Sequence, residues 1–213
     1  MIEAGAEFEL VSNGTFLMDT RDGRSERHLV DRAVAASPRP VPRLLVGGLG
    51  VGFSLAAALA HDVEEVVVVE CEAAVIAWNR DHTGPRTGGT VAAPGVRCVE
   101  ADLVTWLRDH AEVFDAICLD VDNGPDWLVG DANAWLYGPD GLTCLGAHLT
   151  GDGVLAVWSA ARAPAFAERL HARFSRVVID DVPVARGVPD VVYVAQGPRT
   201  PGPDADGDGG GAP

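Results

Sequence analysis

Lysine is missing altogether: all 16 basic residues of the 213-residue chain are arginine. This excludes a Schiff-base lysine, a Walker-type phosphate loop and a lysine general base. Positive charge is scarce as well, 16 residues against 31 acids, for a formal net charge of −15. Such a chain lacks the basic face that displaces counterions from nucleic acid and the polybasic patch that holds a protein to an anionic membrane. Neither partner is expected. The acidity is compatible with a cationic substrate and equally with plain solubility. No apolar run approaches the roughly 20 residues of a membrane helix. The opening MIEAGAEFEL carries acids where a signal peptide carries bases, which points away from export and toward the cytoplasm. Cys71, Cys98, Cys118 and Cys144 form no CxxC pair and read as small apolar residues in a reducing compartment. The six histidines show no metal-ligand spacing, so no metal is expected.

What is present builds a folded protein. Hydrophobic residues make up 47% of the chain and charged residues 22%, enough for one sizeable core with a small appendage. Residues 7–12 (EFELVS) and 15–19 (TFLMD) alternate in polarity around Asn13-Gly14, a pair suited to a tight hairpin turn. A short amphipathic helix is expected from Ser25, with Leu29, Ala33 and Val34 on one side. Pro38-Arg-Pro-Val-Pro42 reads as a stiff linker.

From Arg43 onward strands and helices alternate. Strands are expected at Leu44–Val46, Glu65–Glu70, Val96–Val99, Phe114–Asp120, Gly153–Trp158, Val177–Asp180 and Val191–Ala195. Helices are expected at 51–60, 72–80, 103–110 and 139–149. The order defines an α/β fold, a doubly wound, mainly parallel sheet of seven strands preceded by a short β-hairpin. A short loop around Arg186-Gly187 makes the last two strands an antiparallel pair. The expected units are 1–37, 38–196 and a disordered Gly/Pro/Asp tail at 197–213. Asp204-Ala-Asp206-Gly-Asp208-Gly imitates a calcium loop but lacks the closing glutamate.

The strongest local signal is Leu44-Leu-Val-Gly47-Gly48-Leu-Gly50-Val-Gly52-Phe-Ser54, a glycine-rich turn between a strand and a helix. Glycines there let backbone approach a ligand, and the following helix start offers free N–H groups. The dinucleotide spacing G-x-G-x-x-G fails at Phe53; the spacing is G-x-G-x-G, common in nucleoside-sulfonium enzymes. A turn needed only for packing is the bland reading. Glu70 ends the second strand, where a carboxylate can accept both ribose hydroxyls, although it or Glu72 could equally be a helix cap. Asp102 ends the third strand, where it can take an adenine amino group. Asp120 ends the fourth, with Asp122 close by; part desolvation and that neighbour would raise its pKa and suit it to take a proton from an amine. The alternative for both is a turn before Gly124-Pro125. Trp127, Trp135 and Tyr137 follow in a loop and would either wall a substrate pocket or pack that loop on the sheet.

The glycine loop, the Val-Glu-Glu-Val-Val-Val-Val-Glu70 strand, the Glu-Ala-Asp102 turn, Phe-Asp115-Ala-Ile-Cys-Leu-Asp120 and the Asp152-Gly return strand together resemble the spermidine synthase (polyamine aminopropyltransferase) group. That group lies within the class I S-adenosylmethionine-dependent methyltransferase fold, a methyltransferase-like Rossmann sheet. The resemblance covers about residues 8–160. It implies that Gly48, Gly50 and Gly52 form the cofactor loop, Glu70 the ribose ligand, Asp102 the adenine contact, and Asp120 the acid that deprotonates the attacking amine. Four places depart from the family. Leu49 stands where the family has an aspartate favouring the decarboxylated cofactor. Asn13-Gly-Thr-Phe-Leu17 lacks the family's glutamine. Arg24-Ser25-Glu26 keeps only the glutamate of Tyr-His-Glu, and in Asp120-Val-Asp122-Asn123-Gly-Pro125 the second acid is displaced.

The expectation is a transferase that uses S-adenosylmethionine or its decarboxylated form as co-substrate, with no metal. Asp120 would accept the proton, Asp122 and Glu26 would steer a small cationic amine, and Trp127 and Tyr137 would line its pocket. Aminopropyl transfer follows the family; methyl transfer follows from Leu49. A cofactor-binding homologue without catalysis remains a third reading. A homodimer is carried as the candidate assembly.

Overall fold

The computed structural model describes residues 1–4, 7–12, 15–128, 130–185 and 187–199. Asn13-Gly14, Arg186 and the tail from Thr200 lie outside the described residues. Three short strands, β1 (Ile2–Ala4), β2 (Glu7–Ser12) and β3 (Thr15–Asp19), form an antiparallel sheet, so the expected hairpin is joined by one more strand at its edge. The helix α1 (Arg24–Ala36) follows and buries Leu29, Val30 and Ala33, the side its apolar spacing marks.

The main sheet starts with β4 (Arg43–Gly47), α2 (Phe53–Leu59), β5 (Glu65–Glu70) and α3 (Ala73–Trp78). A π-helical turn (Asn79–Thr83) and the one-turn α4 (Gly84–Thr87) lead to β6 (Val96–Glu100), α5 (Leu103–Asp109) and β7 (Phe114–Leu119). After α6 (Ala134–Tyr137) and α7 (Pro139–Ala147) come β8 (Leu149–Ser159), α8 (Pro164–Arg173), β9 (Phe174–Val182) and β10 (Asp190–Pro198). The strand order is β6-β5-β4-β7-β8-β10-β9. β4 to β8 run parallel, whereas β10 pairs antiparallel with both β8 and β9. β10 continues through Gly197 and Pro198, two residues past the expected start of the tail.

Alternation along the strands separates two apolar layers. Leu45, Val67, Val69, Ile117, Leu119 and Leu155 face α5, α7 and α8 through Trp106, Leu107, Leu145, Phe166 and Leu170. Leu44, Val46, Val66, Val68, Ala116 and Cys118 face α1 and α2 through Leu29, Val30, Leu55 and Ala58. Strands covered on both faces need continuous apolar runs, which is why Val66–Val69 and Ala116–Leu119 contain no polar residue. α1 is therefore part of the cover of the main sheet.

Charges at the amino edge of the sheet are paired. Arg43 Nε donates to Glu65 Oε2 at 2.8 Å, Arg97 Nε to Glu65 Oε1 at 3.1 Å, and Arg97 Nη2 to Glu112 Oε2 at 2.5 Å; Arg43 also pairs with Glu112. No helix among the described residues is long and apolar enough to cross a membrane.

Candidate active site

The chain runs β4, β5, β6 outward in one direction and then returns to place β7 on the other flank of β4. The loops that leave the carboxyl ends of β4 and β7 diverge there, and such a switch point is where open α/β sheets bind ligands. A cavity of about 770 Å³ opens at this place. Its walls come from the glycine loop (Gly48, Leu49, Gly50), the ends of β5, β6 and β7, the start of α1, the N-terminal sheet (Leu10, Met18, Asp19) and the β9–β10 connection.

Gly48 seats the two loops together. Its φ is +87°, and a Cβ there would stand 2.2 Å from the Asp120 carbonyl oxygen. Its N–H donates to Val69 O at 2.9 Å, while Asp120 N–H donates to Gly47 O at 2.9 Å. Only glycine accepts both the left-handed backbone and the contact. Gly50 also lines the cavity, under Met18. Gly52 instead packs behind it, against Asn79, Gly89 and Thr87.

Glu70 is 8% exposed and holds the loop from the side. Oε2 accepts from Leu49 N–H and Oε1 from Glu72 N–H, both at 2.9 Å. Oε1 also takes the Cys71 thiol at 3.6 Å, while Oε2 keeps a second lone pair, so a further donor in the cavity can still be accommodated. Asp102 caps α5 by accepting from Thr105 N–H at 2.8 Å and is exposed at the cavity wall. Glu72 is the residue preceding α3, but its side chain makes no capping hydrogen bond to that helix.

The cavity is acidic. Its whole lining contains Asp19, Asp22, Glu26, Glu70, Glu72, Asp102, Asp120, Asp122 and Asp190, with Arg24 the one cation among the described residues there. Arg24 is itself occupied, donating to Pro183 O at 2.8 Å. Asp120 Oδ2 accepts from Ser54 Oγ at 2.7 Å. Burial pushes Asp120 up from 3.8 to about 6; Asp190 and Glu70 add to the rise and the Ser54 hydrogen bond opposes it. Glu26 is pushed further, to about 8, first by burial and then by Asp120, with Asp190 and Asp22 adding less. Asp190 is fixed by two donors, Ser25 Oγ at 2.6 Å and Trp158 Nε1 at 3.3 Å.

Asp122 was expected to raise Asp120; the like charges that do so are Asp190 and Glu70. Asp122 is 5% exposed and takes hydrogen bonds from Tyr137 Oη at 3.0 Å and Asn133 Nδ2 at 3.1 Å. Burial, then Asp122, drive the Tyr137 hydroxyl pKa upward, so Tyr137 is a donor. Tyr137 sits in the core against Phe166, where an aromatic with a satisfied hydroxyl packs well. Trp127 is 63% exposed and stands apart from the cavity lining. Sequence reasoning missed Asp190, Ser25, Ser54 and Trp158. For Asp190 a signal existed. In an antiparallel final strand the first residue falls at the carboxyl edge of the others, here one residue before Val191, which pairs with Ser159 at the end of β8.

A narrow cavity with a glycine floor, a buried carboxylate beside it and a cluster of acids opposite can hold a nucleoside and a cationic group side by side. Burial that keeps two carboxyls partly protonated gives the acid cluster a place for a proton. The residues fit a nucleoside sulfonium: Gly48 and Gly50 clear space, Glu70 has acceptor capacity left, and the wall opposite is acidic.

The class is the class I methyltransferase fold. A human methyltransferase-like protein 13 in complex with SAH superposes with a TM-score of 0.65 at 18% identity, over 81% of this chain and 82% of that one. More narrowly, the chain is similar to the polyamine aminopropyltransferases. That of Corynebacterium efficiens is 30% identical over 161 residues, which is 74% of this chain and 30% of that protein. A spermidine synthase in complex with the transition state analogue AdoDATO superposes with a TM-score of 0.73 at 19% identity, covering 88% of this chain and 66% of that one. The chain thus spans about a third of the length of that curated relative. No family model matches it.

Proposed function

We propose that this chain transfers an alkyl group, an aminopropyl group in the first place, from an S-adenosylmethionine-type sulfonium to a small amine. The observation that carries the reading is the Glu26–Asp120–Asp190 cluster facing the glycine loop across one cavity. The relatives' names point the same way. The sulfonium co-substrate supplies an electrophilic carbon with an already activated leaving group. The amine nitrogen bonds to that carbon, the carbon–sulfur pair stays on sulfur as a neutral thioether, and the nitrogen loses a proton. Gly48, Gly50, Glu70 and Asp102 bind and orient the nucleoside. Asp190 draws the amine in as a cation, Glu26 joins it once the cation's charge displaces the Glu26 proton, and Asp120 takes the amine's proton. The protein's main contribution is alignment and exclusion of water, since the leaving group needs no acid.

Methyl transfer is the second reading. Leu49, 3% exposed in the cavity wall, presents no charge to repel the carboxylate of intact S-adenosylmethionine. Incubation with each sulfonium and a panel of mono- and diamines distinguishes the two. Methylthioadenosine is expected with the decarboxylated donor; S-adenosylhomocysteine with the intact donor would replace aminopropyl by methyl transfer. Binding of either donor with no product from any amine would refute both and leave a non-catalytic binder.

A further inference from the structure

Ser54 is the second residue of α2, directly behind the glycine loop, and is 2% exposed. A buried hydroxyl must find a partner, and a serine in the first turn of a helix usually finds it in local backbone. Here Oγ turns away from its own helix and donates to Asp120 Oδ2 at 2.7 Å, on the far side of the sheet's switch point. No donor among the described residues is found for Oδ1, and Asp120 lines the cavity. The backbone of Asp120 is held separately, by its N–H donating to Gly47 O, while its carbonyl packs closely against Gly48. Main chain and one carboxylate oxygen are thus fixed by the same segment, 47–54, that floors the nucleoside half of the cavity.

We propose that Ser54 is a positioning residue for proton transfer: its buried hydroxyl holds one oxygen of Asp120 so that the other faces the amine. The inference rests on the role given to Asp120 above. It ties the base to the glycine-loop helix, so that the element that shapes the nucleoside subsite also aims the proton acceptor. A single donor in a poorly solvated place also favours the charged carboxylate, and against it stand the like charges of Asp190 from β10 and Glu70 from β5; Glu26 from α1, driven up to about 8, faces Asp120 as the neutral acid where Asp120 titrates. The Tyr137 hydroxyl from α6 and the Cys118 thiol of β7, both driven up toward the neutral form, are the other titratable groups in range. Among the described residues Ser54 is the group that offsets the charges of Asp190 and Glu70.

The test is a carbon-13 NMR titration of the aspartate carboxyls without substrate, with Asp120→Asn identifying the signal. The wild-type midpoint is expected near 6. Ser54→Ala is expected to raise it by about one pH unit, since the hydrogen bond favours the ionised form. Ser54→Thr, which keeps the hydroxyl, is expected to restore it. In the pH–rate profile the acid limb of kcat should move upward by the same amount, with the KM for the sulfonium unchanged. An unmoved midpoint in folded Ser54→Ala overturns the assignment, as does an equal rise in the alanine and threonine variants. If the alanine variant does not fold, Ser54→Cys is read instead: its weak donor should raise the midpoint part way, and a wild-type midpoint overturns the assignment. The titration needs no turnover, so a wild-type chain inactive on every amine refutes the proposed function without touching this result.

Discussion

Glu26→Gln removes a carboxyl group that the fold holds against its own charge. Burial, Asp120, Asp190 and Asp22 raise Glu26 from 4.5 to about 8 in the native protein. A folded-state pKa above the unfolded one means that the native state binds the proton more tightly. The stabilisation is complete below about pH 4.5 and is lost as the pH rises through about 8. The whole displacement corresponds to about 5 kcal/mol. Glu26 is only part-buried and its charge interacts with that of Asp120, so solvent screening and this interaction leave about 2–3 kcal/mol to this residue. Glutamine keeps the shape and cannot ionise. Wild type and variant should therefore be similarly stable at pH 5, and the variant about 2–3 kcal/mol more stable at pH 9. Urea unfolding at pH 5, 7 and 9 reads the difference as a shift in midpoint with an unchanged m value. The same substitution should raise the KM for the amine, a gain in stability against a loss in binding. A stability gap that does not widen between pH 5 and pH 9 refutes the picture of a crowded, poorly solvated acid cluster.

Other substitutions separate structural from functional side chains. Gly48→Ala forces a side chain into a left-handed backbone and against the Asp120 carbonyl oxygen 2.2 Å away. It should cost about 3 kcal/mol or more in urea unfolding, and calorimetry should show loss of methylthioadenosine binding. Tyr137→Phe deprives the buried Asp122 of a donor at 3.0 Å. A loss of about 1–3 kcal/mol is expected, with the amine KM unchanged; a raised KM at unchanged stability would return Tyr137 to the pocket.

The parallel strands were legible because burial on both faces leaves a simple mark. Val66–Val69 and Ala116–Leu119 can only be interior, and their ends place Glu70 and Asp120 at one edge. Local turn chemistry was equally readable at Gly48, where backbone conformation dictates residue type. The helix α8 went unread although it starts at a proline and spaces Phe166 and Leu170 one turn apart, a short stretch in which several alanines dilute the apolar pattern. Side-chain partners across the sheet were not legible at all. Nothing local to Asp122 tells that Tyr137 and Asn133 occupy it, and nothing local to Ser25 or Trp158 tells that both hold Asp190. Those pairings are 11 to 165 residues apart in the chain and follow from topology alone.

The most direct measurement compares wild type with Asp120→Asn under single turnover, with saturating decarboxylated S-adenosylmethionine and a diamine, followed as methylthioadenosine formed. Wild type is expected to form it, and the variant to bind the donor with unchanged affinity while the rate falls by about 100-fold or more. An Asp120→Asn protein that turns over at the wild-type rate contradicts the account.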